Sequence, residues 1–195
     1  AFGTNFSQEV DPYLNLWILR ILVNLGGTRE FIQPRGFQND FLAEFLGFDQ
    51  TIDCDDYDDF MPNKVKQEII IKAKLAEKQG TEHPLPKSLL KNLSHLAELV
   101  GLNAVEKKIL GFVILLKTEQ LLDTATDLLG QVVTNKTYRA LSVILDIPEA
   151  TVKTSLSTNS CLYQSGLLKT DDGIRYISAK LDLFSAGFAD TVITG

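Results

Sequence analysis

Cysteine, histidine and positive charge are all scarce in this chain, and each shortage removes a class of function. Two cysteines, Cys54 and Cys161, cannot form a disulfide framework. The expected setting is therefore a reducing cytoplasm. The two histidines, His83 and His95, lie twelve positions apart, not at the spacing that puts paired zinc ligands on one helix face. His83 sits in a proline-flanked stretch and His95 on the polar side of a helix, so both read as surface residues. There is no GxSxG nucleophile elbow, no GxxxxGK[ST] loop and no Gly-Lys pair. The longest apolar run, Ile109 to Leu116, is bracketed by Lys108 and Lys117. It falls far short of the roughly 20 residues a membrane span needs. The N-terminus has no charged-then-apolar leader, and a start at Ala1 points to a trimmed or processed chain.

What remains is enough apolar material for a real core: 195 residues, 45% hydrophobic and 23% charged. The expected fold is mainly α, a helical N-terminal bundle followed by a C-terminal winged helix-turn-helix with a small β-hairpin wing. The division expected is 1–80, then 87–195, with 81–86 as a proline-bearing linker unless the two pack as a single unit.

A polar lead ends at Asp11, which caps a helix with Pro12 at its first position. Leu14, Trp17, Ile18, Ile21 and Leu22 form its buried stripe, and Gly26-Gly27 stops it. A loop with Arg29, Pro34 and Arg35 leads to a short helix on Phe41, Leu42, Phe45 and Leu46. After an acidic run, Pro62 opens a helix with Val65, Ile69, Ala73 and Ala76 inward and lysines outward, ending at Gly80. Further helices are predicted over 87–100, from Asn103 to about 117, and over 119–129. The second of these is apolar on nearly every side from Ile109, as a central helix is.

The winged unit is predicted over 135–178. Asn135 caps a helix striped by Tyr138, Leu141, Ile144 and Leu145. Asp146-Ile147-Pro148 breaks it, because the residue before proline is driven out of the α region. A second helix from Pro148 turns Val152 and Leu156 inward, giving the helix-turn-helix. A short helical piece over 160–164 ends at Ser165-Gly166. Strands over 167–170 and 173–177 then flank the turn Asp171-Asp172-Gly173. Residues 178–192 read as a final helix on Leu181, Phe184, Phe188 and Val192.

Four segments carry a family resemblance: Leu102-Asn103-Ala104-Val105-Glu106-Lys107-Lys108-Ile109-Leu110, Leu145-Asp146-Ile147-Pro148, Ser165-Gly166-Leu167-Leu168 and Leu181-Asp182-Leu183. Together they resemble the region that precedes the ATPase module in certain bacterial AAA+ ATPases, over residues 89–192. The resemblance implies a regulatory or substrate-recruiting N-terminal part, with the ATP-binding module following Gly195. ATP and magnesium would belong to that module, and no cofactor is expected in this chain.

The acidic run, with Asp53, Asp55, Asp56, Asp58 and Asp59, fails as a calcium loop. Tyr57, Asp58 and Lys64 stand at its fifth, sixth and twelfth positions, where a ligand, a glycine and a bidentate glutamate belong. It reads instead as an acidic interaction loop. Cys161 reads as a buried, inert thiol, and no metal site or catalytic constellation is expected.

Charge then weighs protein partners against DNA. Residues 102–195 hold nine Lys and Arg against ten Asp and Glu; residues 1–101 hold ten against fifteen. A DNA reader carries a basic stripe along its recognition helix and wing. Here the candidate contacts for a partner or for DNA are Lys136, Arg139, Lys153, Lys169 and Arg175, offset by Glu149, Asp171 and Asp172. The expectation is a non-catalytic protein-interaction module; the alternative is a winged-helix transcriptional regulator.

Overall fold

The computed structural model describes residues 3–49, 60–185 and 187–194. These residues are mainly helical, with two small antiparallel ladders.

The first helix, α1 (Gly3–Val23), begins eight residues before the expected Asp11 cap and carries Pro12 inside it. The missing proline N–H removes one helical bond. Pro12 faces solvent, while Val10 on the preceding turn is fully buried. Core contacts on both sides thus hold the helix together across the proline.

A short α2 (Thr28–Phe31) follows, then an antiparallel ladder of β1 (Ile32–Gln33) and β2 (Gly36–Phe37) around Pro34-Arg35. The sequence suggested only a loop here. Gly36 at φ 155 makes the return possible, and Phe37 stacks near Phe31, Phe48 and Phe60 at centroid distances of 5.1, 5.5 and 5.3 Å. Asn39 caps α3 (Asp40–Phe45) by accepting from the Leu42 amide. Phe41, expected in the buried stripe, is instead 77% exposed.

The next three helices fall within about a residue of where they are expected. Helix α4 (Pro62–Gln79) buries Val65, Ile69, Ala73 and Ala76 against α1. Helix α5 (Lys87–Val100) buries Leu89, Leu93 and Ala97 and ends on left-handed Gly101. Helix α6 (Ala104–Thr118) starts in a capping box, with the Asn103 side chain and Glu106 each accepting from the other's backbone end. Everything in α6 from Ile109 to Leu116 is buried. Trp17 meets Phe112 edge-on at 5.2 Å, joining α1 to this central helix.

Helix α7 (Gln120–Asp127) packs on α1 and α6 and leads into the C-terminal segment. That segment comprises α8 (Thr134–Leu145), α9 (Glu149–Ser155), α10 (Cys161–Gln164), β3 (Leu168–Thr170), α11 (Ile177–Lys180), β4 (Leu181–Leu183) and α12 (Phe188–Thr194). Helix α8 starts one residue before the expected Asn135 cap, from Val133, with no side-chain cap. The second strand also departs from expectation. Strand β3 pairs antiparallel with Leu181–Leu183, not with 173–177. The Ile174-Arg175-Tyr176-Ile177 alternation fails to form a strand because Arg175 lends its carbonyl to the Val132 amide at 2.7 Å. Leu181 and Leu183 point inward either side of exposed Asp182, which replaces the expected continuous 178–192 helix.

Residues of both expected halves share one hydrophobic cluster, and the 81–86 stretch contributes Leu85, which is fully buried. The Tyr13 hydroxyl donates to the Leu85 carbonyl at 2.9 Å. Gly111 in α6 makes room for this side chain: a Cβ there would lie 2.3 Å from Leu85 Cδ1 and 3.0 Å from Leu93 Cδ1. We expect Gly111→Val to cost roughly 1–3 kcal/mol by overpacking, seen as a lower thermal midpoint. Combining it with Leu85→Ala should recover part of that loss, whereas additive losses would contradict this packing.

Candidate functional site

The C-terminal segment is positioned by three polar anchors, all at places where a helix end meets the core. The first is the break between α8 and α9. Helix α8 stops because Asp146 turns left-handed, at φ 53 and ψ 58, a conformation aspartate tolerates better than most residues. The amides of Asp146 and Ile147 both donate to the Ser142 carbonyl, and Ser142 Oγ donates to the Ile147 carbonyl at 2.6 Å. Two carbonyls of the last turn are then gripped from outside. Arg20 of α1 donates to the Ile144 carbonyl at 2.7 Å, and Lys108 Nζ of α6 to the Leu145 carbonyl at 2.5 Å. Both cations complete the hydrogen bonding of a helix end and complement its dipole.

Arg20 is itself held by Glu77 of α4 in a two-pronged pair at 2.6 and 2.8 Å. The guanidinium hydrogen bond holds the Glu77 carboxyl below the usual carboxylate range. Burial pulls the Lys108 ammonium below its ordinary value, and Arg20 pushes the same way against the opposing Asp146. A cleft of about 520 Å³ lined by Arg20, Asn24, Glu77, Ser142, Asp146 and Pro148, among others, opens beside this turn.

The second anchor is Glu106, only 3% exposed. One carboxylate oxygen completes the α6 capping box; the other accepts from the Cys161 amide at 2.8 Å, at the start of α10. Cys161 Sγ donates to the Val100 carbonyl at 3.1 Å, and Ser160 Oγ caps α10 through the Tyr163 amide. Cys161 is half-buried and its thiol is engaged with backbone, a structural placement.

The third anchor lies at the ladder. Lys117, at the other end of the apolar run, donates from Nζ to the Ser178 carbonyl. Burial lowers its ammonium too, opposed by Asp182 and Asp123. Lys180 is 1% exposed and lies 3.3 Å from Thr134 Oγ1, which donates to Asp172 at 2.6 Å. That chain of contacts ties the 171–176 loop to the first residue of α8. The loop turns on Asp171, which accepts from the Gly173 amide at 2.8 Å.

The five basic residues singled out from the sequence are all exposed, and none forms an ion pair with a described residue. Lys136 and Arg139 lie three apart on α8, hence on neighbouring positions of one side. Arg175 is tied to the start of α8, its carbonyl accepting from the Val132 amide at 2.7 Å. Lys153 belongs to α9, and Lys169 stands directly across the ladder from Asp182. The acidic positions Asp53, Asp55, Asp56, Asp58 and Asp59 lie outside the described residues. His95 is exposed; His83, half-buried, faces Glu82 at 3.8 Å. Among the described residues no group of three or more His, Cys, Asp or Glu is placed to hold a metal ion. No helix among them is long and apolar enough to cross a membrane.

The anchoring role of Arg20, Glu77, Glu106, Lys108, Lys117 and Lys180 is not legible in the sequence. The one available signal was that lysines bracket the most apolar run at both ends. Comparison with protein-family models, with curated proteins and with solved structures finds no match to this chain.

Glu106→Gln places an amide N–H where the Cys161 amide or the α6 cap needs an acceptor. We expect a loss of roughly 1–3 kcal/mol and faster hydrogen exchange at the Cys161 amide. A variant as stable and as well protected as the parent would show that Glu106 does not tie α10 to α6.

Proposed function

We propose that the chain is a non-catalytic protein-interaction module whose C-terminal segment is a winged helix-turn-helix. In this reading α8 and α9 are the two helices about the Asp146 turn, and the β3–β4 ladder with its 171–180 connection is the wing. The connection is longer than a tight hairpin and includes α11, yet Lys180 and Arg175 seat it against the start of α8. Its resemblance to the region before the ATPase module of bacterial AAA+ proteins supports a regulatory or recruiting role. The parent protein would supply ATP and magnesium chemistry, and the setting would be cytoplasmic.

One observation carries the choice of protein over DNA: the charge of the elements that would enter a groove. Lys169 faces Asp182 across the ladder, Asp171 and Asp172 occupy the turn, and α9 sets Lys153 against Glu149. Phosphate-driven affinity needs an uncompensated basic ridge, and these elements are near neutral. A second reading, a DNA-binding regulator, has its own support in the exposed and unpaired Lys136, Arg139 and Arg175.

Titrating the chain against random duplex DNA at about 50 and 200 mM salt separates the two, since six or more phosphate contacts would change affinity by roughly a thousandfold over that range. We expect no binding stronger than the roughly 10⁻⁴ M of weak nonspecific contact. Micromolar binding that collapses with salt, and falls further in Arg139→Glu/Arg175→Glu, would establish the DNA reading instead.

A further inference from the structure

Among the described residues, α4 carries the largest net positive charge of any element, and its outward side is not a plain solvated face. Helix α4 holds five lysines against two glutamates, +3 in a chain whose formal total is −6. Ile71 and Leu75, one turn apart, are 64% and 54% exposed on it. Single exposed apolar residues are ordinary on a protein surface, but two side by side, one turn apart on a basic helix, form a small apolar patch. Around them on the wheel lie Lys64, Lys74 and Lys78, all exposed and without a carboxylate partner among the described residues, with half-buried Glu68 the one acidic neighbour, three positions before Ile71. Lys72 is the exception in its surroundings, its ammonium lying 5.3 Å over the Phe48 ring.

Next to this pair, on the α1 side of α4, runs a groove of about 320 Å³. Leu16, Leu19, Val23, Ile70 and Ala73 supply its apolar lining, and Lys74, Arg20 and Glu77 stand at its edge. The sequence of surfaces across α4 is thus apolar groove, lysine row, apolar pair. That is the complement of an amphipathic helix with leucines on one stripe and carboxylates beside it.

Resting on the interaction-module reading above, we propose that the α1–α4 groove with Ile71 and Leu75 is the docking surface, and that its partner is an acidic amphipathic helix. Charge decides between this partner and the other occupants an apolar, basic face invites. An anionic lipid surface prefers a convex helix with a broad apolar face in a protein of positive sign. Here the apolar lining is recessed, and the rest of the chain carries −9. A second copy would bring the same lysines against these ones.

The test uses the full chain and a synthetic helical peptide matching α4 in length, 18 residues, with leucines at i, i+3, i+4 and i+7 and glutamates elsewhere. The expected result is micromolar, salt-weakened binding by fluorescence anisotropy. It should fall roughly tenfold or more in Ile71→Asp/Leu75→Asp, as when central anchors of an interface are removed. Lys64→Glu/Lys74→Glu/Lys78→Glu should also lose the peptide and gain affinity for a lysine-substituted counterpart. Because all five side chains are exposed, unchanged circular dichroism and thermal midpoint verify that the variants fold. Peptide binding indifferent to either set of substitutions, or no binding at all, overturns the proposal. So does uptake by phosphatidylserine vesicles, or concentration-dependent dimerisation, that the Ile71→Asp/Leu75→Asp change abolishes. Protein crosslinks that vanish in Arg139→Glu/Arg175→Glu but persist in the α4 variants would overturn the groove while leaving the module reading intact.

Discussion

A helix that ends against a protein core leaves its last carbonyls without intrahelical partners, and the positioning of the C-terminal segment depends on how α8 solves that problem. Its own turn satisfies only part of the need, through Ser142 and the left-handed Asp146. The rest is supplied by Arg20 from α1 and Lys108 from α6, cations that begin 124 and 37 residues away in sequence. Because each cation is partly withdrawn from water, the hydrogen bonds it makes are stronger than surface contacts, and losing one would leave a charge poorly solvated. The end of α8 is therefore held by α1 and α6 as well as by the residues of the turn.

The same logic repeats along α6. Lys108 grips the end of α8, Glu106 the start of α10, and Lys117 the backbone of α11. A helix apolar along its whole middle uses the polar residues at its two ends to align three separate elements of the segment that follows. This arrangement gives the proposed winged helix a rigid mounting. It also leaves the outer faces of α8, α9 and α4 uninvolved in holding the fold, and hence open to a partner.

Helices with strong local signals were legible in the sequence. Pro62 to Gly80 carries start, stripe and stop signals within one turn of where they act, residues 87–100 stop at Gly101, and Asn103 reads as the cap of the helix that follows. The break at Asp146-Ile147-Pro148 was legible for the same reason. What escaped was set by distant contacts. Pro12 looked like a helix start, but the burial of Val10 carries α1 through it. The alternation of residues 174–177 looked like a strand, but Arg175 spends its carbonyl on Val132, so pairing passes to Leu181–Leu183. The exposed apolar pair on α4 was hidden because Ile71 and Leu75 break the very pattern that made the helix readable. Among the candidate contacts, residue identity was legible, but the opposition of Lys169 and Asp182 required the ladder register.

Hydrogen exchange across the α8–α9 turn tests the central claim most directly, by comparing the parent chain with Arg20→Met and with Lys108→Met. Each change keeps most of the side-chain volume while removing the donor. If these cations hold the turn, the amides of Asp146, Ile147 and Val152 should exchange roughly tenfold faster, the equivalent of about 1.4 kcal/mol. The amides of α1 and α5 should keep their parental rates. Unaltered protection at the turn, or a uniform rise over the whole chain, would contradict the account.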